Sequence, residues 1–136
     1  MRKININKGK RYQFPTHIND ILLPREQSEI MEAFLVIIEP GKMTPSHVHP
    51  DTEQLYHVLS GRGRGAFQHA DGRQEELTIA PEDVIQVPRN CRHQIFCVGD
   101  QPLRYLCVDG FPGGIPKDEP TWEHHYRNVA ARLAKE

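Results

Sequence analysis

The sequence predicts an all-β protein, folded as a sandwich or barrel. Proline and glycine recur roughly every 8–12 residues through the middle of the chain, a spacing typical of short strands joined by turns. Pro40-Gly41 and Asp71-Gly72 are two of these turn signals. The runs between the turns are rich in β-branched and aromatic residues, which favour extended backbone. We therefore expect a core made of sheets.

Seven short runs are expected to form the strands. The first run, 33–39, is apolar at nearly every position and predicts a strand that is covered on both faces. Asp71-Gly72 lies between two later runs and predicts a hairpin there. The runs occupy 33–39, 54–60, 63–69, 74–79, 84–87, 93–98 and 103–109.

The two ends of the chain differ from this central region. Residues 1–30 show no clean period, and we expect an arm that packs on the sheet or across a partner subunit. Residues 31–111 form the predicted barrel, and residues 112–136 form a C-terminal extension. An apolar stripe in that extension predicts a helix over about 121–135, with Thr121 as its N-cap. The stripe consists of Trp122, Tyr126, Val129 and Leu133.

Composition restricts the class of protein. The 136 residues suit one domain, and 17 basic against 18 acidic residues give a formal net charge of −1. No basic run or stripe is present, so we expect no nucleic-acid partner. The longest apolar run, 33–38, is far shorter than the roughly 20 residues of a membrane helix, and we see no signal peptide. Cys91, Cys97 and Cys107 lack metal-binding spacing, and we expect free thiols in a reducing cytoplasm.

His47-Val48-His49 is the most informative motif. Residues two apart on an extended segment point to the same side, so both imidazoles face one point in space. A third histidine, His93, lies in a later predicted strand. Imidazole suits zinc, copper, iron and nickel, so the three histidines indicate a metal site.

The segments around these histidines resemble the two motifs of the cupin superfamily. The first motif is matched by Gly41, five further residues, His47-Val48-His49, then Glu53-Gln54 and Gly61. In the second motif Pro88 and His93 are in place, whereas Glu82, Asn90 and Cys97 replace the expected glycine, glycine and asparagine. Asn90 is a mild departure because asparagine tolerates left-handed backbone. The resemblance covers residues 33–109 and implies a jelly-roll barrel, or double-stranded β-helix, with the metal in its mouth, and often a homodimer.

The resemblance also implies a fourth ligand, either Gln54 or Glu53. The family's ligand usually stands seven residues before the closing glycine, and that position is Gln54. Strand alternation places Gln54 and Tyr56 on one face and Glu53 on the other. We favour Gln54 and keep Glu53 as the alternative. Three imidazoles and an amide would leave the full charge of a divalent ion uncompensated, which favours Lewis-acid chemistry and an anionic substrate.

Other residues are weaker candidates for the site. Tyr56 is expected on the ligand face, where its hydroxyl could act in proton transfer. Met43 alternates with His47 and could border the substrate, Arg62 could reach an anionic ligand, and Cys97 shares the strand face of His93. Ordinary packing or solvent exposure is the competing interpretation of each.

We therefore expect an enzyme that holds one divalent transition metal per subunit, zinc, iron, manganese, nickel or copper. It would act on a small oxygenated substrate, a carbonyl or carboxylate compound, by isomerase- or lyase-type chemistry. Two alternatives stay open: a metal-dependent dioxygenase, and a non-catalytic module that binds a sugar or carboxylate. Barrels of this kind host many chemistries, so the fold alone does not choose between them.

Overall fold

The computed structural model describes residues 1–135, and within them the chain forms nine β-strands, one short 3-10 helix and one α-helix. The 3-10 helix spans Arg25–Gln27 and the α-helix, α1, spans Trp122–Ala134. The strands are β1 Lys10–Gln13, β2 Ile18–Leu23, β3 Met31–Ile38, β4 Glu53–Ser60, β5 Gly63–Gln68, β6 Gln74–Ile79, β7 Val84–Val87, β8 Arg92–Cys97 and β9 Leu103–Gly110.

The strands form two antiparallel sheets that face each other across the core. The larger sheet has the order β1-β2-β3-β9-β4-β7, and the smaller has the order β6-β5-β8. Their inner faces contribute a common apolar cluster that includes Ile38, Val58, Ile95 and Leu103. This arrangement confirms the predicted all-β jelly-roll barrel.

Strand β3 lies inside the larger sheet, between β2 and β9. Three successive residues, Phe34, Leu35 and Val36, are buried, although neighbouring side chains in a strand point to opposite faces. Both faces of β3 are therefore covered, as its continuous apolar run predicted.

The segment that carries His47 and His49 runs along β8 without becoming a regular strand. It meets β8 at two isolated bridges, Met43 with Phe96 and His47 with His93. Pro45 and Pro50 cannot donate backbone hydrogen bonds, which interrupts the ladder on both sides of the motif. The segment is nevertheless fixed in register against His93.

Two turns of the barrel hold non-glycine residues in left-handed backbone. Glu82 has φ 77° and Asn90 has φ 64°, and these are the positions where the second motif expects glycine. Gly61 has φ 83°, a backbone conformation that favours glycine. A Cβ added there would also lie 2.2 Å from the carbonyl oxygen of Pro102, so a larger residue does not fit. The left-handed backbone of these turns thus explains why the motifs have glycine at these positions.

The ends of the chain pack together on the barrel. The N-terminal segment contributes β1 and β2 to the edge of the larger sheet. Helix α1 lies against it, with Tyr126 4.8 Å from Tyr12 and Trp122 4.9 Å from Phe34 between ring centroids. The predicted N-cap is present, since Thr121 accepts a hydrogen bond from the backbone N–H of His124. Residue 136 of the predicted extension lies outside the described residues. Within residues 1–135, no helix combines the length and apolar character that crossing a membrane requires.

Candidate metal centre

The three predicted histidines converge at one end of the barrel. His47 and His93 exchange two backbone hydrogen bonds, of 3.0 and 2.8 Å, which place their rings 4.1 Å apart between centroids. His49, two residues after His47, presents its ring on the same side, 4.8 Å from His47 and 5.4 Å from His93. One nitrogen of each ring lies within 4.8 Å of the others. We call His47, His49 and His93 the histidine cluster.

Backbone carbonyls orient two of these rings. Nδ1 of His47 lies 2.7 Å from the carbonyl oxygen of Pro45, and Nδ1 of His93 lies 2.9 Å from that of Cys91. A carbonyl only accepts, so Nδ1 carries the proton and Nε2 keeps its lone pair. A hydrogen bond of this kind from the other ring nitrogen fixes the tautomer of metal-binding histidines.

The histidine cluster is suited to a metal ion because two of its buried ring nitrogens lack a hydrogen-bond partner. Nε2 of His49 and Nε2 of His93 are buried and have no hydrogen-bond partner among the described residues. Burial lowers the pKa of His47 to about 4, of His49 to about 2 and of His93 to about 3. The rings are therefore neutral at neutral pH, which is the form that coordinates metals. A divalent transition metal would satisfy the buried lone pairs that the protein leaves open.

Gln54 and Glu53 lie on opposite faces of β4. Gln54 is buried in the barrel, whereas Glu53 is exposed on the outside and accepts a hydrogen bond from Gln86 at 3.0 Å. Nε2 of Gln54 donates to Oδ1 of Asp109 at 2.8 Å. Because a carboxylate only accepts, this contact fixes the amide with Oε1 on the other side. That Gln54 is the fourth ligand stays a prediction, which its inward position supports.

Tyr56 lies behind Gln54. Its hydroxyl donates to Oε1 of Gln54 at 2.8 Å, and the side chain is buried. Burial raises the pKa of Tyr56 well above its ordinary value, which disfavours its use as a proton donor or acceptor. The contact of Tyr56 is that of a residue that positions Gln54, and the catalytic role predicted for Tyr56 stays a prediction.

Met43, Arg62 and Cys97 do not meet the cluster. Met43 pairs with Phe96 near the far end of β8, and four residues of strand separate Cys97 from His93, about 13 Å at the usual rise per residue. The thiol of Cys97 donates to the carbonyl oxygen of Gln101. Arg62 lines a separate surface groove beside Gly99. Their predicted substrate contacts stay predictions; strand alternation sets the face on which a side chain lies but not its depth along the barrel.

A cavity of about 300 Å³ connects the cluster to helix α1. Its barrel side is lined by His47, His49, Gln54 and Asp109. Its helix side is lined by Trp122, His125, Val129 and Arg132. The helix therefore forms one wall of the candidate site, in addition to docking on the sheet.

A buried charged network supports this wall. Arg25 makes a bidentate contact with Glu32, at 2.8 and 3.1 Å, and donates to the carbonyl oxygen of Glu119 at 3.0 Å. Burial, reinforced by the neighbouring Asp109, raises the pKa of Glu32 to about 9 despite Arg25. Arg25 also lies over the rings of Phe111 and Trp122. The network ties the 3-10 helix, β3 and the segment before α1 into one unit.

Several residues that line or support the cavity were not predicted from the sequence. Asp109 ends the last predicted strand and alternates inward with Cys107, so a strand-face argument could have found it. His125 lies between Trp122 and Val129 on the apolar stripe, which was also a usable signal. Arg25 lies in the three-residue 3-10 helix and Glu119 in an irregular segment, and no periodic pattern marked either.

Comparison with known proteins agrees with this geometry. A family model described as "Cupin domain" matches residues 34–109. The chain is 33% identical over 79 residues to oxalate decarboxylase OxdC of Bacillus subtilis, covering 58% of this chain and 20% of the relative. It is 42% identical over 53 residues to acireductone dioxygenase of Microcystis aeruginosa, covering 39% of this chain and 28% of the relative. The chain thus spans about a fifth and about a quarter of these relatives.

The fold is also similar to that of a solved protein. Oxalate decarboxylase from Lactobacillus farciminis, in a formate complex, superimposes with a TM-score of 0.71 at 23% identity. The match covers 85% of this chain and 35% of that chain. At this identity the likeness concerns the fold alone.

Proposed function

Because the chain belongs to the cupin family, we propose that it is a divalent-metal-dependent enzyme that acts on a small carbonyl or carboxylate substrate by isomerase- or lyase-type chemistry. The observation that carries this proposal is the convergence of three neutral imidazoles, two with unsatisfied buried nitrogens, on one cavity. His47, His49, His93 and Gln54 would hold one ion per subunit.

The neutral ligand set favours substrates with negative charge. When bound, a divalent cation would supply Lewis-acid polarisation of a substrate oxygen, and no proposed ligand removes its charge. Arg132 brings a guanidinium to the opposite wall of the cavity, where it would attract a carboxylate. Trp122 and Val129 supply apolar surface that excludes water from the same space.

The residues around the ligands have positioning roles in this proposal. Asp109 and Tyr56 contact the two ends of the Gln54 amide, so its oxygen is oriented before any ligand arrives. Pro45 and Cys91 do the same for two of the rings through their carbonyl oxygens. Such preorganisation reduces the cost of arranging the site at the moment of reaction.

Metal analysis and a substrate panel test the proposal. Protein purified without added metal should contain close to one divalent ion per chain, and His49→Ala should lose it. His57→Ala is the matched control, because His57 lies on the exposed outer face of β4. The loaded protein should convert a member of a panel of 2-oxo acids, 2-hydroxy acids and sugar acids without oxygen uptake. Failure of the wild-type protein to bind metal would overturn the proposal.

A dioxygenase is the second candidate, and the match to acireductone dioxygenase favours it. It predicts iron, copper or nickel in the purified protein and oxygen uptake with a diketone. Tight binding of a sugar acid or carboxylate without turnover would instead indicate a binding module.

We also propose a homodimer through the outer face of β4 and β7. Leu55 is 45% exposed and Val84 61% exposed, and both point outward from neighbouring strands at the edge of the larger sheet. Apolar surface on an edge strand favours association with another chain. Sedimentation should show a dimer that Leu55→Lys with Val84→Lys converts to a monomer. A monomeric wild-type protein at micromolar concentration would contradict this.

A further inference from the structure

We propose that His125, oriented by Glu119, is the catalytic residue that moves the proton in the reaction at the histidine cluster. This inference rests on the proposed isomerase or lyase function and identifies the acid–base group which that function requires. His125 belongs to helix α1, outside the barrel and outside both metal-binding motifs.

His125 has the hydrogen bond that prepares an imidazole to accept a proton. Its Nδ1 lies 2.9 Å from Oε1 of Glu119. The Glu119 carboxylate only accepts, so Nδ1 carries the proton and Nε2 keeps its lone pair. A carboxylate in this position holds the ring in one tautomer and stabilises the imidazolium that forms, as in catalytic triads.

Glu119 is itself held in place from two further directions. Its Oε2 accepts a hydrogen bond from Asn128 at 2.8 Å, and Nη1 of Arg25 lies 3.5 Å from Oε1. The hydrogen bond from His125 is the largest influence that lowers the pKa of Glu119 to about 2. The carboxylate is therefore ionised throughout the neutral range. Glu119 acts as a positioning residue, because its carboxylate is occupied by these contacts.

His125 faces the same cavity as the histidine cluster. It lies on the stripe of α1 that also includes Trp122 and Val129, and its ring is 5.0 Å from that of Trp122. Its neighbour His124 is exposed, and its ring contacts the N-cap hydroxyl of Thr121. Adjacent helix residues point about 100° apart, so only His125 of this pair faces the substrate space.

Two polar groups close to the proposed ligands are held by contacts within the protein. Asp109 accepts from the amide of Gln54, and the hydroxyl of Tyr56 is buried behind that amide. The guanidinium of Arg132 stays protonated and does not exchange a proton at neutral pH. Histidine is the side chain that most often serves in general acid–base catalysis. His125 is the imidazole on this wall that lies outside the proposed ligand set.

The proton transfer is balanced without a further reactant. Nε2 of His125 removes a proton from the carbon beside the substrate carbonyl, and the C–H electron pair shifts into the carbonyl group. In an isomerisation of a hydroxy carbonyl compound, the proton of the adjacent hydroxyl moves to the former carbonyl oxygen, and the imidazolium returns its proton to the former carbonyl carbon. In an elimination, the electron pair returns from the carbonyl group and breaks the bond to the leaving group on the next carbon, and the imidazolium gives its proton to that group. His125 ends neutral in both cases, and no electron is gained or lost.

The charged groups around His125 determine how the pH profile of kcat will respond to a substitution. Glu119 faces it from the segment before α1, His17 from the turn after β1, and the cluster from the barrel. The titratable and cationic groups concerned are Glu119, His17, His47, His49 and Arg132. Of these, Glu119 alone supplies a negative charge in contact with the ring.

Three variants of the metal-loaded, full-length protein test the inference: His125→Gln, Glu119→Gln and the control His124→Gln. With the panel substrate that the wild type converts, kcat of His125→Gln should fall about 10²–10⁴-fold. KM and bound metal should change little, and solvent deuterium should no longer enter the product. Glu119→Gln should lose less activity, and the acidic limb of its kcat profile should move to lower pH. His124→Gln should match the wild type.

A measurement on the protein alone accompanies the kinetics. Long-range ¹H–¹⁵N spectra of histidine-labelled protein should show His125 as the Nδ1–H tautomer, and Glu119→Gln should lose this preference. An Nε2–H tautomer in the wild type would overturn the inference. So would wild-type kcat in His125→Gln, or loss of metal together with activity in that variant. A wild-type protein that binds metal but converts nothing on the panel would reject the proposed function and, with it, the catalytic role of His125.

Discussion

The side-chain amide of Gln54 donates to the carboxylate of Asp109 at 2.8 Å, and this contact decides which end of the amide is free to face the histidine cluster. The donor is Nε2, so Oε1 lies on the other side, where it accepts from Tyr56. Oxygen is the only amide atom that binds a metal readily at neutral pH. Asp109, which is outside the proposed ligand set, therefore orients a proposed ligand.

Removing the acceptor at position 109 should weaken metal binding without removing any proposed ligand. In Asp109→Leu the amide of Gln54 loses its fixed orientation, and we expect metal affinity to fall about 10–100-fold, as for other outer-shell partners. Competition with a chelating dye measures the affinity. Asp109→Asn is the matched control because its amide oxygen can still accept, so its loss should be smaller. Equal affinities of Asp109→Leu and the wild type would show that the orientation does not matter.

The choice between Gln54 and Glu53 is tested by a pair of alanine variants. Gln54→Ala should lower metal affinity by at least the roughly 10–100-fold typical of an outer-shell partner, because a ligand is removed. Glu53→Ala should leave the affinity unchanged, since Glu53 is exposed and contacts Gln86 outside the barrel. Isothermal titration with zinc measures both. The reverse result would assign the fourth ligand to Glu53.

The metal-free protein should lose stability as the pH falls below neutrality. His47, His49 and His93 have pKa values of about 4, 2 and 3 in the folded protein, below the ordinary value of 6.5. The unfolded chain therefore binds more protons, and stability is complete above pH 6.5 and declines towards pH 4. The free energy of unfolding should change by on the order of 1.4 kcal/mol per pH unit for each histidine.

Urea unfolding at pH 7, 6 and 5 measures that decline. His49→Gln should reduce the pH dependence of the free energy of unfolding by the contribution of one histidine. His17 contributes in the same direction, since burial lowers its pKa to about 4, and His17→Gln separates its share from that of the cluster. A free energy of unfolding that stays constant from pH 7 to pH 5 is the result that would contradict the expectation.

Glu82→Gly should stabilise the barrel. Glu82 has φ 77°, and left-handed backbone costs a residue with a Cβ about 1–2 kcal/mol, which glycine avoids. Glycine also makes the unfolded chain more flexible, so we expect a net gain of about 0.5–1 kcal/mol in the free energy of unfolding. Thermal and urea unfolding measure it. Asn90→Gly is the comparison. Its free energy of unfolding should rise less, because asparagine tolerates φ 64°. A larger gain at Asn90 would reject this explanation.

Strand alternation in the sequence predicted much of the barrel and the core of the candidate site. Gln54 and Tyr56 point inward and Glu53 points outward because side chains alternate on β4, and this pattern is visible in the residues themselves. The convergence of His47, His49 and His93 followed from the same rule together with the family resemblance. Distances along a strand, which separate Met43 and Cys97 from the histidine cluster, depend on register and were not predictable in this way.

The N-terminal strands β1 and β2 were not predicted from the sequence, and the reason is physical. Asn19 and Asp20 on β2 are both buried, and Asp20 is stabilised there by Arg11 at 2.8 Å from the neighbouring strand. A buried carboxylate paired with an exposed arginine stands where the pattern expects an apolar residue, so the alternation is lost from the sequence while the strand remains. The orientation of α1 likewise depends on how Trp122 packs on Phe34, which no local pattern specifies.

The family match ends at residue 109, whereas the helix wall of the cavity begins at residue 122. The parts that would bind the metal and the part that would choose the substrate are thus separate modules along the chain. An engineer could exchange the segment after residue 111 to alter selectivity while leaving the metal ligands intact. For the same reason, the reaction of a relative that shares only the barrel is a poor guide to the substrate of this protein.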